Sequence, residues 1–101
     1  MLVYNVTTKI DWSIAEEWVR WMQDVHIPEV IGTGCFERHL FVKLLEVDEE
    51  EGPTYAVQYF AKNRDGYDRY IKQHAPSFRE AIMETWGSRF IAFRSLMEVV
   101  D

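Results

Sequence analysis

The most constraining feature of the sequence is a succession of residue types that occurs twice in the same order. YNV at residues 4–6 is followed by Trp18 and Trp21, by His26-Ile27-Pro28 and by Gly34. YAV at 55–57 is followed by Tyr67 and Tyr70, by His74-Ala75-Pro76 and by Gly87. The offset drifts from 51 (Tyr4 to Tyr55) to 48 (His26 to His74) and then to 53 (Gly34 to Gly87), so the halves match only with gaps. A shared order of strand-like, helix-like and breaker residues describes one supersecondary unit used twice.

The local patterns fill in that unit. Residues 2–10 alternate as a strand, with Leu2, Tyr4, Val6 and Ile10 on one side and Val3, Asn5, Thr7 and Lys9 on the other. Ile14, Trp18, Trp21, Met22 and Val25 then fall at helical spacing. Ser13 with Glu16 forms a capping box, and Asp11 is the alternative cap. Ile27 precedes a proline and is biased away from helical angles, which predicts a break or kink near His26. Pro28 then starts a short turn through Ile31, stopped by Gly32 and Gly34. Residues 35–48 read as a long strand, 48–53 as a turn and 54–62 as the second arm of a hairpin. Asp65 and Gly66 introduce a second helix, with Tyr67, Tyr70, Ile71, His74, Phe78, Ala81, Ile82 and Thr85 on its buried side and a kink at Ala75–Pro76. Gly87 ends it, and 88–100 is the last strand.

The order β-α-β-β-α-β makes residues 1–101 one α+β domain of ferredoxin-like plan: a four-stranded antiparallel sheet with two helices on one face. The other face is left bare. Val3, Asn5, Thr7, Ala56, Gln58 and Phe60 point to it, joined by Phe41 or Leu40 and by Ile91 or Phe93, whose register stays open. The chain is 48% hydrophobic and 15% aromatic, more apolar surface than a domain of this size comfortably hides. A second sheet laid on the bare face would cover the excess, giving a homodimeric α/β barrel whose interior can hold a small molecule.

Charge and cysteine content narrow the partners. Seventeen acidic residues against eleven Lys and Arg leave a net charge of −6, unsuited to nucleic acid or an anionic membrane surface. No apolar run approaches the ~20 residues of a membrane span. Cys35 stands alone and cannot form an internal disulfide, and the N-terminus lacks a basic leader, so a cytoplasmic location is expected.

Candidate site residues follow from the two halves. His26 could turn into the cleft between helix and sheet and act as a base, the catalytic candidate; His74 could hold a ligand from the matching position. Equally, a histidine at a helix kink can bond free carbonyls, and its recurrence favours that structural role. Asn5, Thr7 and Gln58, with Phe60 beside them, suit an apolar pocket that carries a few polar groups, or else hydrogen bonds across the sheet. Arg89 and Arg94 could take a carboxylate, the simpler expectation being pairs with the acids of 46–51. Trp18, Trp21 and Trp86 are expected as core, Cys35 as buried and inert, and His39 at the rim. No HxH, HExxH or CxxC spacing is present, so no metal and no cofactor are expected.

Two functions remain open on these residues. One is a ligand-binding or simply structural dimer; the other is a cofactor-independent oxidation or isomerisation, which needs little more than a base such as His26 and an amide to orient a substrate oxygen. The stretches YNVTTKID, EEWVRWMQDVHIPEVIGTGCF, TYAVQYFA, YDRYIKQHAP and FIAFRSLMEVV resemble a family of bacterial proteins of about 100 residues known as a domain of unknown function. The pattern WxxWMxxxHIP is the most specific part, and the likeness covers almost the whole chain. That family is similar to the dimeric α/β-barrel superfamily. The resemblance implies the fold, a homodimer and a bacterial cytoplasmic protein, and it implies no activity. The superfamily includes cofactor-free monooxygenases, haem-degrading enzymes and isomerases, an analogy of fold alone.

Overall fold

A computed structural model describes residues Met1–Asp101. Strand β1 (Leu2–Ile10) leads through a 3-10 turn (Trp12–Ile14) into α1 (Ala15–Trp21), a π turn (Met22–His26) and α2 (Ile27–Gly32). Then come β2 (Arg38–Lys43), β3 (Thr54–Ala61), α3 (Arg64–Gln73), α4 (Ala75–Trp86) and β4 (Phe90–Glu98). The sheet is antiparallel throughout, in the order β2-β3-β1-β4, which is the ferredoxin-like arrangement. Helices cover one face, and no helix is long and apolar enough to cross a membrane.

Register settles what alternation left open. Val3, Asn5 and Thr7 stand opposite Phe60, Gln58 and Ala56 on β3, and opposite Met97, Ser95 and Phe93 on β4. Side chains paired across an antiparallel ladder share a face, so these residues, with Ile91, occupy the face away from the helices. On β2 the bare face carries Arg38, Leu40 and Val42, because Leu40 pairs with Gln58. Phe41 lies on the helix side, its ring 5.9 Å from Trp18. The alternatives thus resolve to Leu40, and to both Ile91 and Phe93.

The first helix departs from its expected shape. It does not break at His26: the backbone stays helical through His26 (φ −69°, ψ −52°) and Ile27 (φ −60°, ψ −45°). The strain is absorbed upstream, where the Ile27 N–H donates to the Met22 carbonyl five residues back. Pro28 has no N–H, and its ring needs the Asp24 carbonyl out of its way. Widening one turn from α to π supplies that room. The insertion also changes which residues face inward. Ile14, Trp18, Met22, His26 and Val30 are all buried, each four residues apart, whereas a regular α-helix drifts roughly 40° at every such step. Val25, expected inside, is 39% exposed, and His26 takes its place.

The second helix does break. His74 sits between α3 and α4 with φ −122°, outside helical angles. The break rotates α4 relative to α3, so Ala81 and Thr85, expected inside, are exposed, while Ala75 and Trp86 at the two ends of α4 are buried. Strands β2 and β4 are shorter than expected; β2 stops before Glu46, which adopts a positive φ of 59°. The cap of the first helical run is Asp11, whose carboxylate accepts from the Ser13 N–H at 2.8 Å, rather than Ser13 with Glu16, because the helix is preceded by a 3-10 turn. Gly34 (φ 77°) and Gly87 (φ 64°) both end helical runs in the left-handed region where glycine is favoured.

Candidate functional site

Between the helices and the sheet lies a narrow cavity of about 40 Å³, enough for a few water molecules. Its floor comes from three strands: Tyr4, Val6 and Thr8 of β1, Val57 and Tyr59 of β3, and Ala92 of β4. Every one is on the helix-facing side of the ladder described above. Its roof is Trp18, Met22 and His26 from the first helical run, with Tyr70 and Phe78 from α3 and α4. The repeat of four in the first helix therefore places three successive inward residues over one cavity.

His26 is 8% exposed, and its imidazole takes part in no hydrogen bond with the protein. Aromatic rings hold it instead. The Trp21 ring stacks on the imidazole at 5.2 Å with an interplanar angle of 12°, and Phe78 meets it edge-on at 5.6 Å. Burial away from water disfavours the charged form and lowers its pKa to about 4. At neutral pH the group is thus an uncharged imidazole with one donor and one acceptor nitrogen free of any protein partner.

Tyr59 is the second polar group of the cavity. It is 2% exposed, and its hydroxyl is buried with no hydrogen-bond partner. A hydroxyl in that position ordinarily costs about 1–3 kcal/mol unless something bonds it. Burial pushes its pKa well above the usual phenol range, with Tyr70 and Tyr4 beside it adding to the effect. Tyr70 is raised for the same leading reason, burial, and by Tyr4, while Arg79 and Arg94 pull the other way. Two phenols kept neutral by burial, Tyr59 and Tyr70, and the uncharged His26 imidazole line a mostly apolar space with Tyr4, Thr8, Arg79 and Arg94. Such a site can donate and accept hydrogen bonds and can stack on a flat ring.

The residues expected at the site are divided by the sheet. His26 reaches the cavity. Asn5, Thr7, Gln58 and Phe60 lie on the opposite, bare face. There the Asn5 amide donates to the Thr7 hydroxyl at 2.9 Å, and the Arg38 guanidinium covers the Phe60 ring at 3.8 Å. His74 does not line the cavity; it is half-buried beside Tyr70 and Phe78, its ring 6.3 and 6.4 Å from theirs. Arg89 and Arg94 form no ion pair with the acids of 46–51; Arg89 lies near Asp11, and Arg94 lines the cavity. Cys35 is buried and its sulfur accepts from Arg69 at 3.4 Å. His39 is exposed on β2. Tyr4, Tyr59, Tyr70 and Arg79 were not singled out by sequence reasoning. The signal for the tyrosines was present, since Tyr4 and Tyr59 alternate with the residues assigned to the bare face.

Solved structures with the same fold cover nearly the whole chain at low identity. A dimeric ferredoxin-like protein from an uncultured marine organism superimposes with a TM-score of 0.73 at 12% identity, over 100% of this chain and 96% of its own. HapK from Hahella chejuensis gives 0.70 at 12% identity, over 99% and 93%. SnoaB, a cofactor-independent oxygenase from Streptomyces nogalater, gives 0.60 at 14% identity, over 99% and 93%. At such identities the likeness concerns the fold alone. No curated protein matches the sequence. Residues 1–100 match the family described as a domain of unknown function, DUF4286, and the chain belongs to that family.

Proposed function

We propose that the protein is a homodimer in which each protomer holds a small hydrophobic or aromatic molecule between its helices and its sheet. The observation that carries the ligand reading is the Tyr59 hydroxyl, buried and without a protein partner in the wall of the mostly apolar cavity that His26 also lines. Native interiors rarely leave such a group unsatisfied. A ligand oxygen would satisfy it. The cavity is well below the roughly 300–1,000 Å³ of drug-sized sites, so its occupant is small and flat or displaces a wall. The wall best able to move is the middle of α4, where Phe78 and Ile82 are only half-buried and the buried anchors are at the helix ends.

The dimer reading rests on the bare face of the sheet. Ile91 and Phe93 are 67% and 62% exposed there on β4, with Met97 on the same strand and Leu40 exposed on the opposite edge strand, β2. Single exposed apolar residues are ordinary, but Ile91, Phe93 and Met97 at alternate positions of one edge strand form an apolar row that a partner can cover. A second copy is the occupant in keeping with the dimeric ferredoxin-like neighbours.

A catalytic alternative, cofactor-independent oxidation or isomerisation with His26 as base, is the weaker reading. A drop in pKa from 6.5 to about 4 lowers proton affinity roughly 300-fold, and an efficient base is poised near the working pH. The imidazole is better suited to orient a ligand than to deprotonate it.

Both parts of the proposal are open to direct test. Light scattering of the wild type should give about twice the 12.0 kDa chain mass, and Phe93→Glu should return it to a monomer; a monomeric wild type would end the dimer reading. Titration with p-cresol should shift the ring resonances of Tyr59 and Tyr4, and Ala92→Phe, which fills the cavity floor, should abolish the shifts. Unmoved resonances in the wild type would end the ligand reading.

A further inference from the structure

One side of the cavity is cationic. Arg79 on α4 and Arg94 on β4 both line it, and none of its fifteen lining residues is acidic. Both positive charges favour the ionised form of Tyr70, which lines the cavity with them. Arg94 pairs in register with Val6, itself in the cavity floor, so the ladder directs its side chain toward the helices. Neither arginine enters any of the four ion pairs of the chain. Neither donates a side-chain hydrogen bond to the protein, although Arg20, Arg64 and Arg69 all do. Seven of the eleven Lys and Arg have no acidic partner, and Arg79 and Arg94 are the two of these that line the cavity.

The chemistry of that pair selects its ligand. Guanidinium is a planar fork that binds a carboxylate through two parallel hydrogen bonds, an interaction about twice as strong as a neutral one. The same cavity is lined by aromatic rings that favour a flat, unsaturated body (Tyr4, Tyr70 and Phe78) and by two neutral polar groups, Tyr59 and His26. Resting on the small-molecule reading above, we propose that the ligand is an aromatic carboxylate, its ring in the apolar cavity and its carboxylate held between Arg79 and Arg94. The negative charge of the ligand replaces the acid that the protein does not supply. Entry past two cations also favours anions over neutral molecules of the same shape.

The experiment compares 4-hydroxybenzoate with 4-hydroxybenzamide, which has the same shape without the charge, by calorimetric titration of the full-length protein. The wild type should bind the carboxylate at least 10-fold more tightly. Arg79→Gln and Arg94→Gln should each reduce that preference, and the double variant should abolish it while binding the amide as before. The arginine heads are exposed, so unchanged melting temperatures are expected and checked alongside. Equal affinity of the wild type for both probes overturns the proposal, as does a preference that survives in the double variant. In either case p-cresol binding keeps the cavity reading intact. Failure of all three probes to bind ends both.

Discussion

His26-Ile27-Pro28 and His74-Ala75-Pro76 share a pattern but not a conformation. The first lies inside an unbroken helical run, with its histidine buried and unbonded over a cavity. The second lies at a break between α3 and α4, with its histidine half-buried at the edge. A proline can be accommodated by widening the helix or by ending it, and what precedes it decides between the two. Ile14, Trp18 and Met22 anchor the first run to the sheet at intervals of four, which holds its axis and leaves a π turn as the solution. The matching residues before His74 are looser: Tyr67 and Ile71 are half-buried and Tyr70 alone is buried. There the chain ends one helix and begins another, with Pro76 in the first turn of α4, where a missing N–H costs little.

The largest test of this contrast is to remove the anchors. Trp18→Ala should destabilise the fold by about 3–5 kcal/mol, as expected for a buried tryptophan, whereas Tyr67→Ala, at the matching place in the second half, should cost about 1–2 kcal/mol. Equal losses in denaturant unfolding would mean that anchoring does not distinguish the two helices.

A pH series separates the histidines next. His26 has a folded pKa of about 4 against 6.5 unfolded, so between those values the unfolded chain binds the extra proton. Stability contributed by the neutral imidazole is fully present above pH 6.5 and is lost as pH falls toward 4, by roughly 3 kcal/mol in all. No carboxylate lines the cavity to offset the charge. His26→Leu should remove that part of the acid sensitivity relative to wild type, while His74→Leu should retain it because His26 is still there. The same acid slope in His26→Leu as in wild type would contradict the burial argument.

The smallest effect concerns the glycines, where the halves do agree. Gly34→Ala and Gly87→Ala should each cost about 1 kcal/mol, since both positions require positive φ. A cost at one and none at the other would show that the equivalence stops at backbone angles.

Much of the architecture was legible because alternation and order survive in one dimension. The face assignment of β1 and β3, the two helical segments, the hairpin and the glycine stops all follow from local periodicity and backbone sterics. The ligand residues were harder. Asn5, Thr7 and Gln58 were attractive because they are polar in a strand, yet Asn5 and Thr7 bond each other on the face away from the cavity. Tyr59 reads as an ordinary core aromatic until the structure shows its hydroxyl without a partner. Arg79 reads as a solvent-facing helix residue, and only the tertiary structure puts it on the wall of the same cavity as Arg94.

By itself, then, the order of residue types determined a βαββαβ chain with helices on one face of its sheet and a mixed polar and apolar set on the other, since periods of two and near four are properties of the backbone. Tertiary packing alone decided that one histidine is buried and the other is not. The phase of a helix across a proline depends on how firmly its earlier turns are held, and that is a property of the sheet beneath them rather than of the three residues His-x-Pro.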